Sequence, residues 1–167
     1  SAQKDEETIK ELSEKIIKLG GNPNLDNEDQ KGLIKELSKQ LEQLSVKSIL
    51  DDKSKNIIKD ETINGVKIRL QKVEDLPPKD LRKLVDNGKK ELKEGIVVVF
   101  ASKDEKVGLA VGVTQKLTEK YDAVQFAKLG SETIGGKGGG GRKDFAQAGG
   151  QDKSKIDEAL EKIKSLV

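Results

Sequence analysis

The side chains able to carry acid–base or nucleophilic chemistry in this chain of 167 residues are its carboxylates, its lysines, its Ser and Thr hydroxyls and one phenol, Tyr121. It has no His and no Cys, which excludes a thiol nucleophile, a Ser-His-Asp triad, a disulfide framework and zinc held by imidazole and thiolate. A binding or accessory module is therefore expected before a complete enzyme. The strongest chemical signal is the run Gly135-Gly136-Lys137-Gly138-Gly139-Gly140-Gly141-Arg142-Lys143-Asp144-Phe145-Ala146-Gln147-Ala148-Gly149-Gly150. Glycine at that density makes either a floppy linker or a loop whose backbone amides can approach a ligand closely.

Two nucleotide motifs can be tested on that run. A Walker loop needs Ser or Thr after Gly-Lys, but Gly138 follows Lys137 and the first glycine of the spacing falls on Ser131. Gly136-x-Gly138-x-x-Gly141 matches a dinucleotide fingerprint only trivially, and no strand is expected before it. What remains is a flexible, amide-rich loop beside Lys137, Arg142 and Lys143, suited to a phosphate or sugar-phosphate backbone. The aromatic residues, Phe100, Phe126, Phe145 and Tyr121, do not alternate in a way that would stack successive single-stranded bases. The groups Lys89-Lys90-Lys93 and Lys103-Lys106 could add charge, or be plain solvated surface.

The elements that must position this run follow from periodicity. Ile9, Leu12, Ile16 and Leu19 form an amphipathic helical stripe over residues 4–19, closed by Gly20 and Gly21. Asn27, with Gln30 three residues on, is the expected cap of a second helix carrying Leu33, Leu37, Leu41 and Leu44. The two should form an antiparallel hairpin over residues 1–50, packed on its own domain, serving as a dimerisation arm, or acting as a spacer. With 8 basic and 10 acidic residues this arm is a poor phosphate ligand. Residues 51–63 read as a connector that holds a short strand.

From residue 64 a globular domain is expected to run to 167. Val66, Ile68 and Leu70 alternate with Lys67, Arg69 and Gln71, the pattern of a strand with one wet face. After Pro77-Pro78, Leu81, Leu84, Val85 and Leu92 indicate a helix ending at Gly95. Ile96 to Ala101 is apolar on both alternations and reads as a central buried strand. The break Ser102 to Lys106 joins it in a hairpin to Val107–Val113, where Gly108 and Gly112 suggest bulges or the close approach of another backbone. A helix over residues 122–134 is interrupted in propensity by Gly130, and Ser154 with Asp157 is the expected capping box of a last helix. The fold class is α/β (α+β): a helical arm followed by a mixed β-sheet flanked by helices.

Charge and hydropathy bound the setting. The 32 basic and 30 acidic residues leave +2 overall, too little to announce nucleic-acid binding by itself. No apolar run approaches the roughly 20 residues of a membrane helix, and no secretory leader is evident, so a cytoplasmic location away from membranes is expected. Without an initiator Met the chain reads as a piece of something longer.

The segment from Ile134 to Gly150 resembles the carboxyl-terminal signature of bacterial alanyl-tRNA synthetases, and the hairpin Ile96 to Val113, with Val-Gly-Leu-Ala-Val-Gly-Val, is similar to the same family. The resemblance covers residues 64–167 and extends more loosely to the helical hairpin. The glycine run is one longer than in many members, and Lys143 stands where the family often has Pro. A related module closes the DHH phosphoesterases, which usually carry a His in the glycine motif; none is present here.

The resemblance implies a non-catalytic region that binds the elbow of alanine tRNA, where the D and T loops meet, and helps couple aminoacylation with editing. It implies that ATP, magnesium and zinc serve only the parent enzyme, that the other synthetase domains are partners, and that the helical arm can support a homodimer. The expected tRNA contacts are Gly136, Lys137, Gly138, Gly139, Gly140, Arg142, Lys143 and Gln147, with Asp144 and Gln147 inclined to pin the loop. A substrate-binding module of a phosphoesterase and a dimerisation scaffold stand as the other readings.

Overall fold

The computed structural model describes all residues, Ser1–Val167, as two compact units, Ser1–Asp52 and Lys53–Val167. In the first, α1 (Ala2–Lys18) and α2 (Gln30–Asp51) pack together. Ile16, Leu33 and Leu37 are buried between them, with Ile9, Leu12, Leu41 and Leu44 around that small core. The Ser1 hydroxyl caps α1 by accepting from the Lys4 N–H, and Gly20 ends it at φ +88°, a left-handed turn open to glycine at no steric cost. The cap of α2 is Asp29, whose carboxylate accepts from the Gly32 N–H. Asn27, the expected cap, instead accepts from the Asp29 N–H. Both are Asx residues two apart, and the one nearer the first helical turn holds the orphan amide.

The second unit is built on a six-stranded sheet in the order β1-β2-β3-β4-β6-β5. Its strands are β1 (Asn56–Ile63), β2 (Val66–Glu74), β3 (Ile96–Lys103), β4 (Lys106–Val113), β5 (Gly138–Gly141) and β6 (Phe145–Gly150). Only β2 and β3 are parallel, joined through α3 (Leu81–Leu92); the other neighbours are antiparallel. The expected connector thus carries an eight-residue edge strand, β1, paired one-to-one with β2. Alternation there is hard to read because one face of an edge strand meets water.

Helix α3 covers one sheet face, while α4 (Ala123–Thr133) and α5 (Ile156–Lys164) cover the other. Being covered on both sides, β3 is buried from Ile96 to Ser102, as a central strand should be. Gly108 and Gly112 make no bulge, since β3 and β4 pair residue for residue. They serve the approach of a helix: a Cβ on Gly108 would stand 2.8 Å from Pro78 Cβ, and one on Gly112 would collide with Val85 and Lys89. α3 ends at Leu92, earlier than Gly95, because Lys93 turns left-handed at φ +68°.

The expected wet face of β2 is wet at Lys67 but not beyond it. Arg69 is 8 % exposed and Gln71 4 %, because β1 and α3 close over them. Each is paired: the Arg69 guanidinium donates to both Asp60 carboxylate oxygens at 2.8 and 3.0 Å and to Glu91 at 2.7 Å, and the Gln71 amide donates to Asn56 Oδ1 at 2.8 Å. Asp60 in turn is held below the usual carboxylate range by its hydrogen bond from Arg69. At the last helix, Asp152 accepts from the Ser154 N–H and opens a 3-10 turn before α5. Asp157, the expected capping-box partner, binds Lys72 on the sheet face that α5 covers, at 2.8 Å. No helix is long and apolar enough to cross a membrane.

Candidate nucleic-acid interface

The glycine run is not a flexible loop; it is the outermost hairpin of the sheet. Four consecutive glycines form β5, paired antiparallel with β6 from Gly138↔Gly149 to Gly141↔Ala146. Isolated propensity disfavours glycine in strands because of its backbone entropy. Here close packing reverses that preference: a Cβ on Gly139 would strike the Gln147 carbonyl and Ala148, and one on Gly141 the Phe145 carbonyl and Ala146.

Three side chains from outside the run fasten it. Ser131, fully buried on α4, places its hydroxyl between the two strands, donating to the Gly149 carbonyl at 2.6 Å and accepting from the Gly138 N–H at 2.9 Å. Lys89 on α3 donates to the Asp144 carbonyl at 2.8 Å. Arg82, two turns earlier on the same face of α3, lies over the Phe145 ring with Cζ 4.4 Å from its centroid. The backbone adds Val113 N–H to Asp144 C=O and Ala123 N–H to Lys143 C=O, both at 2.9 Å, and closes Arg142 on Phe145 at 2.8 Å.

The faces of the hairpin differ. Register partners share a face, so Phe145, Gln147 and Gly149, opposite Gly112, Ala110 and Gly108, lie on the α3 side of the sheet, together with Gly138 and Gly140. Ala146, Ala148, Gly139 and Gly141 lie on the α4 side. A Cβ built on Gly138 or Gly140 meets nothing within 4 Å, so beyond Phe145 the α3 side is glycine backbone with Gln147 as its one side chain. Because Arg142 and Phe145 exchange both hydrogen bonds, alternation directs the amides of Gly139 and Gly141 to the free edge.

The expected contact residues are thus distributed in a definite way. Gly139 and Gly140 are exposed, as are Lys137, Arg142, Lys143 and Gln147. Gly136 is packed against Ser131 and the Gly149 carbonyl and gives its N–H to the Ser131 carbonyl, and the Gly138 N–H is taken by the Ser131 hydroxyl; both glycines are internal fasteners. Gln147 is fixed through its backbone in the sheet, and its amide pins nothing. Asp144 holds the turn through its carbonyl, and its carboxylate lies 3.6 Å from Arg142. Lys137 and Arg142 stand at opposite ends of β5, about 17 Å apart at the usual strand rise, so they do not grip one phosphate together.

Sequence reasoning missed Ser131, Arg82 and the latching role of Lys89, which it grouped with Lys90 and Lys93 as surface charge. A small polar residue on the buried stripe of α4 was the available signal for Ser131. Nothing in the spacing of α3 connects Arg82 or Lys89 with residues 144 and 145, because that proximity is made by the β4–β6 pairing.

This hairpin and sheet match a described family. Residues 65–167 fit the DHHA1 domain, and the chain belongs to the DHHA1 domain family. The alanine–tRNA ligase of Parvibaculum lavamentivorans is 52 % identical over 104 residues, 62 % of this chain and 12 % of the ligase. That of Rhodopseudomonas palustris is 41 % identical over 142 residues, 84 % of this chain and 16 % of the ligase, a match too long to fit within the DHHA1 region and therefore reaching into the helical arm. The chain spans only a small part of the curated relatives it matches. Among solved structures, the C-Ala domain of Aquifex aeolicus alanyl-tRNA synthetase aligns with a TM-score of 0.61 and 29 % identity, covering 65 % of this chain and 96 % of that domain. The resemblance to the carboxyl-terminal domain of alanyl-tRNA synthetase, and the α/β fold expected from it, are borne out.

Proposed function

We propose that this chain is a tRNA-binding carboxyl-terminal region of an alanine–tRNA ligase, which holds the tRNA elbow and helps aminoacylation and editing act on one bound tRNA. The observation that carries the reading is the glycine strand held at the sheet edge by its pairing with β6 and by Ser131. It leaves backbone amides and a strand without side chains accessible between Lys137 at one end and Arg142 and Lys143 at the other, with only Gln147 beside it. A sugar-phosphate chain lying along β5 could meet both charged ends, and the contacts would position the RNA without reading its bases. In this reading ATP, magnesium and zinc serve the parent enzyme's other domains, which are this region's partners, and the setting is the cytoplasm. The arm exposes Ile17, Leu19 and Leu25, which supports a role in pairing two copies.

The test is the Arg142→Ala/Lys143→Ala double variant, titrated with folded tRNA over a salt series. Each lost phosphate contact should lower the salt slope by about 1 and weaken binding uniformly across tRNAs. Wild-type affinity at low salt would overturn the assignment of these residues.

A further inference from the structure

Resting on that reading, we infer that Arg82 is a further RNA-phosphate ligand, and that the RNA approaches the glycine hairpin from its α3 side. The two covers of the sheet leave the hairpin asymmetric. On the α4 side, Ser131 stands between the strands, and a Cβ on Gly150 would collide with Ile134. That side is filled by protein. On the α3 side, Gly138 and Gly140 look onto open space and Gln147 is exposed.

Beside this surface runs the α3 stripe Arg82, Asp86 and Lys89, at the 4- and 3-residue spacing that places side chains on one helical face. Lys89 is spent on the Asp144 carbonyl. Arg82 is not spent: its side chain is 57 % exposed and its one carboxylate neighbour, Asp86, is 4.0 Å away. The Phe145 ring beneath it restrains the planar guanidinium while leaving its N–H donors unsatisfied by protein. A pre-oriented fork of this kind is the donor best matched to phosphate oxygens. Phe145 opens β6 directly after Arg142, Lys143 and Asp144, so Arg82 extends the positive end of the hairpin from a helix onto which the motif itself does not reach.

The experiment is a salt series of folded-tRNA binding by the whole chain carrying Arg82→Ala, Arg82→Lys, Lys128→Ala, or Lys137→Ala with Arg142→Ala. Lys128 is an exposed cation on α4, across the sheet, and controls for net charge. Arg82→Ala should weaken binding and lower the salt slope by about 1, Arg82→Lys should restore the slope with lower affinity because an ammonium lacks the fork, and Lys128→Ala should match wild type. If Lys137→Ala/Arg142→Ala weakens binding while Arg82→Ala behaves like Lys128→Ala, the inference fails and the proposed function stands. If Lys128→Ala is as damaging as Arg82→Ala, the approach from the α3 side is wrong. If neither Arg82→Ala nor the motif pair changes binding, the glycine hairpin is not the contact surface and the inference fails; absence of tRNA binding by the wild-type chain would overturn the proposed function itself.

Discussion

At the scale of single residues, the glycines of the run divide into those the fold requires and those it leaves free. Gly136→Ala drives a methyl into the Gly149 carbonyl and the Ser131 hydroxyl, and should cost about 1–3 kcal/mol, the usual range for overpacking. Gly140→Ala, with open space at its Cβ and no left-handed φ, should change stability by less than about 1 kcal/mol. Urea melts of the two variants check the contrast. Ser131→Ala removes the hydroxyl bridging Gly138 and Gly149 and should cost about 1–3 kcal/mol through the buried groups left unpaired. The run was legible as a concentration of glycine and charge, but not as a strand. The reason is physical: propensity and alternation report side chains, and β5 has none, so its pairing is decided by the neighbouring backbone of β6.

At the scale of elements, periodicity located the helical stripes, the central strand Ile96 to Ala101 and the β3–β4 hairpin, each with a strong apolar pattern of its own. It failed where a second element changed the environment of the first. Arg69 and Gln71 looked solvent-facing by alternation and are buried because β1 and α3 close over them. Asp157 looked like a cap and is recruited by Lys72 on a strand far away in sequence.

The Arg69 cluster makes a pH-dependent prediction. Because the hydrogen bond from Arg69 lowers the Asp60 pKa in the folded chain, its stabilisation is complete above the unfolded carboxylate value of about 3.9. It is lost as pH falls through the lower folded value. Asp60→Asn should therefore be less stable than wild type at neutral pH, with the difference shrinking towards acid; urea melts at neutral and acidic pH read it out. A difference that grows on acidification would contradict the ion pair as the cause.

At the scale of the whole molecule, the helical arm and the DHHA1 unit each have a core of their own. Residues 53–167 should accordingly unfold in a single cooperative transition when expressed alone, as calorimetry would show. If the arm pairs two copies, sedimentation of the full chain should show a dimer that residues 53–167 do not form. What the sequence could not display is the asymmetry of the hairpin, since which face stays bare depends on where α3, α4 and α5 settle on one sheet.

The most direct measurement of the central claim is binding of the whole chain to folded tRNA, to the same tRNA with its D-loop/T-loop contact broken, and to single-stranded DNA, across a salt series. The account predicts preference for the intact elbow and a salt slope carried by Lys137, Arg142 and Lys143. Equal binding to all three, preference for the single strand, or no binding would contradict it.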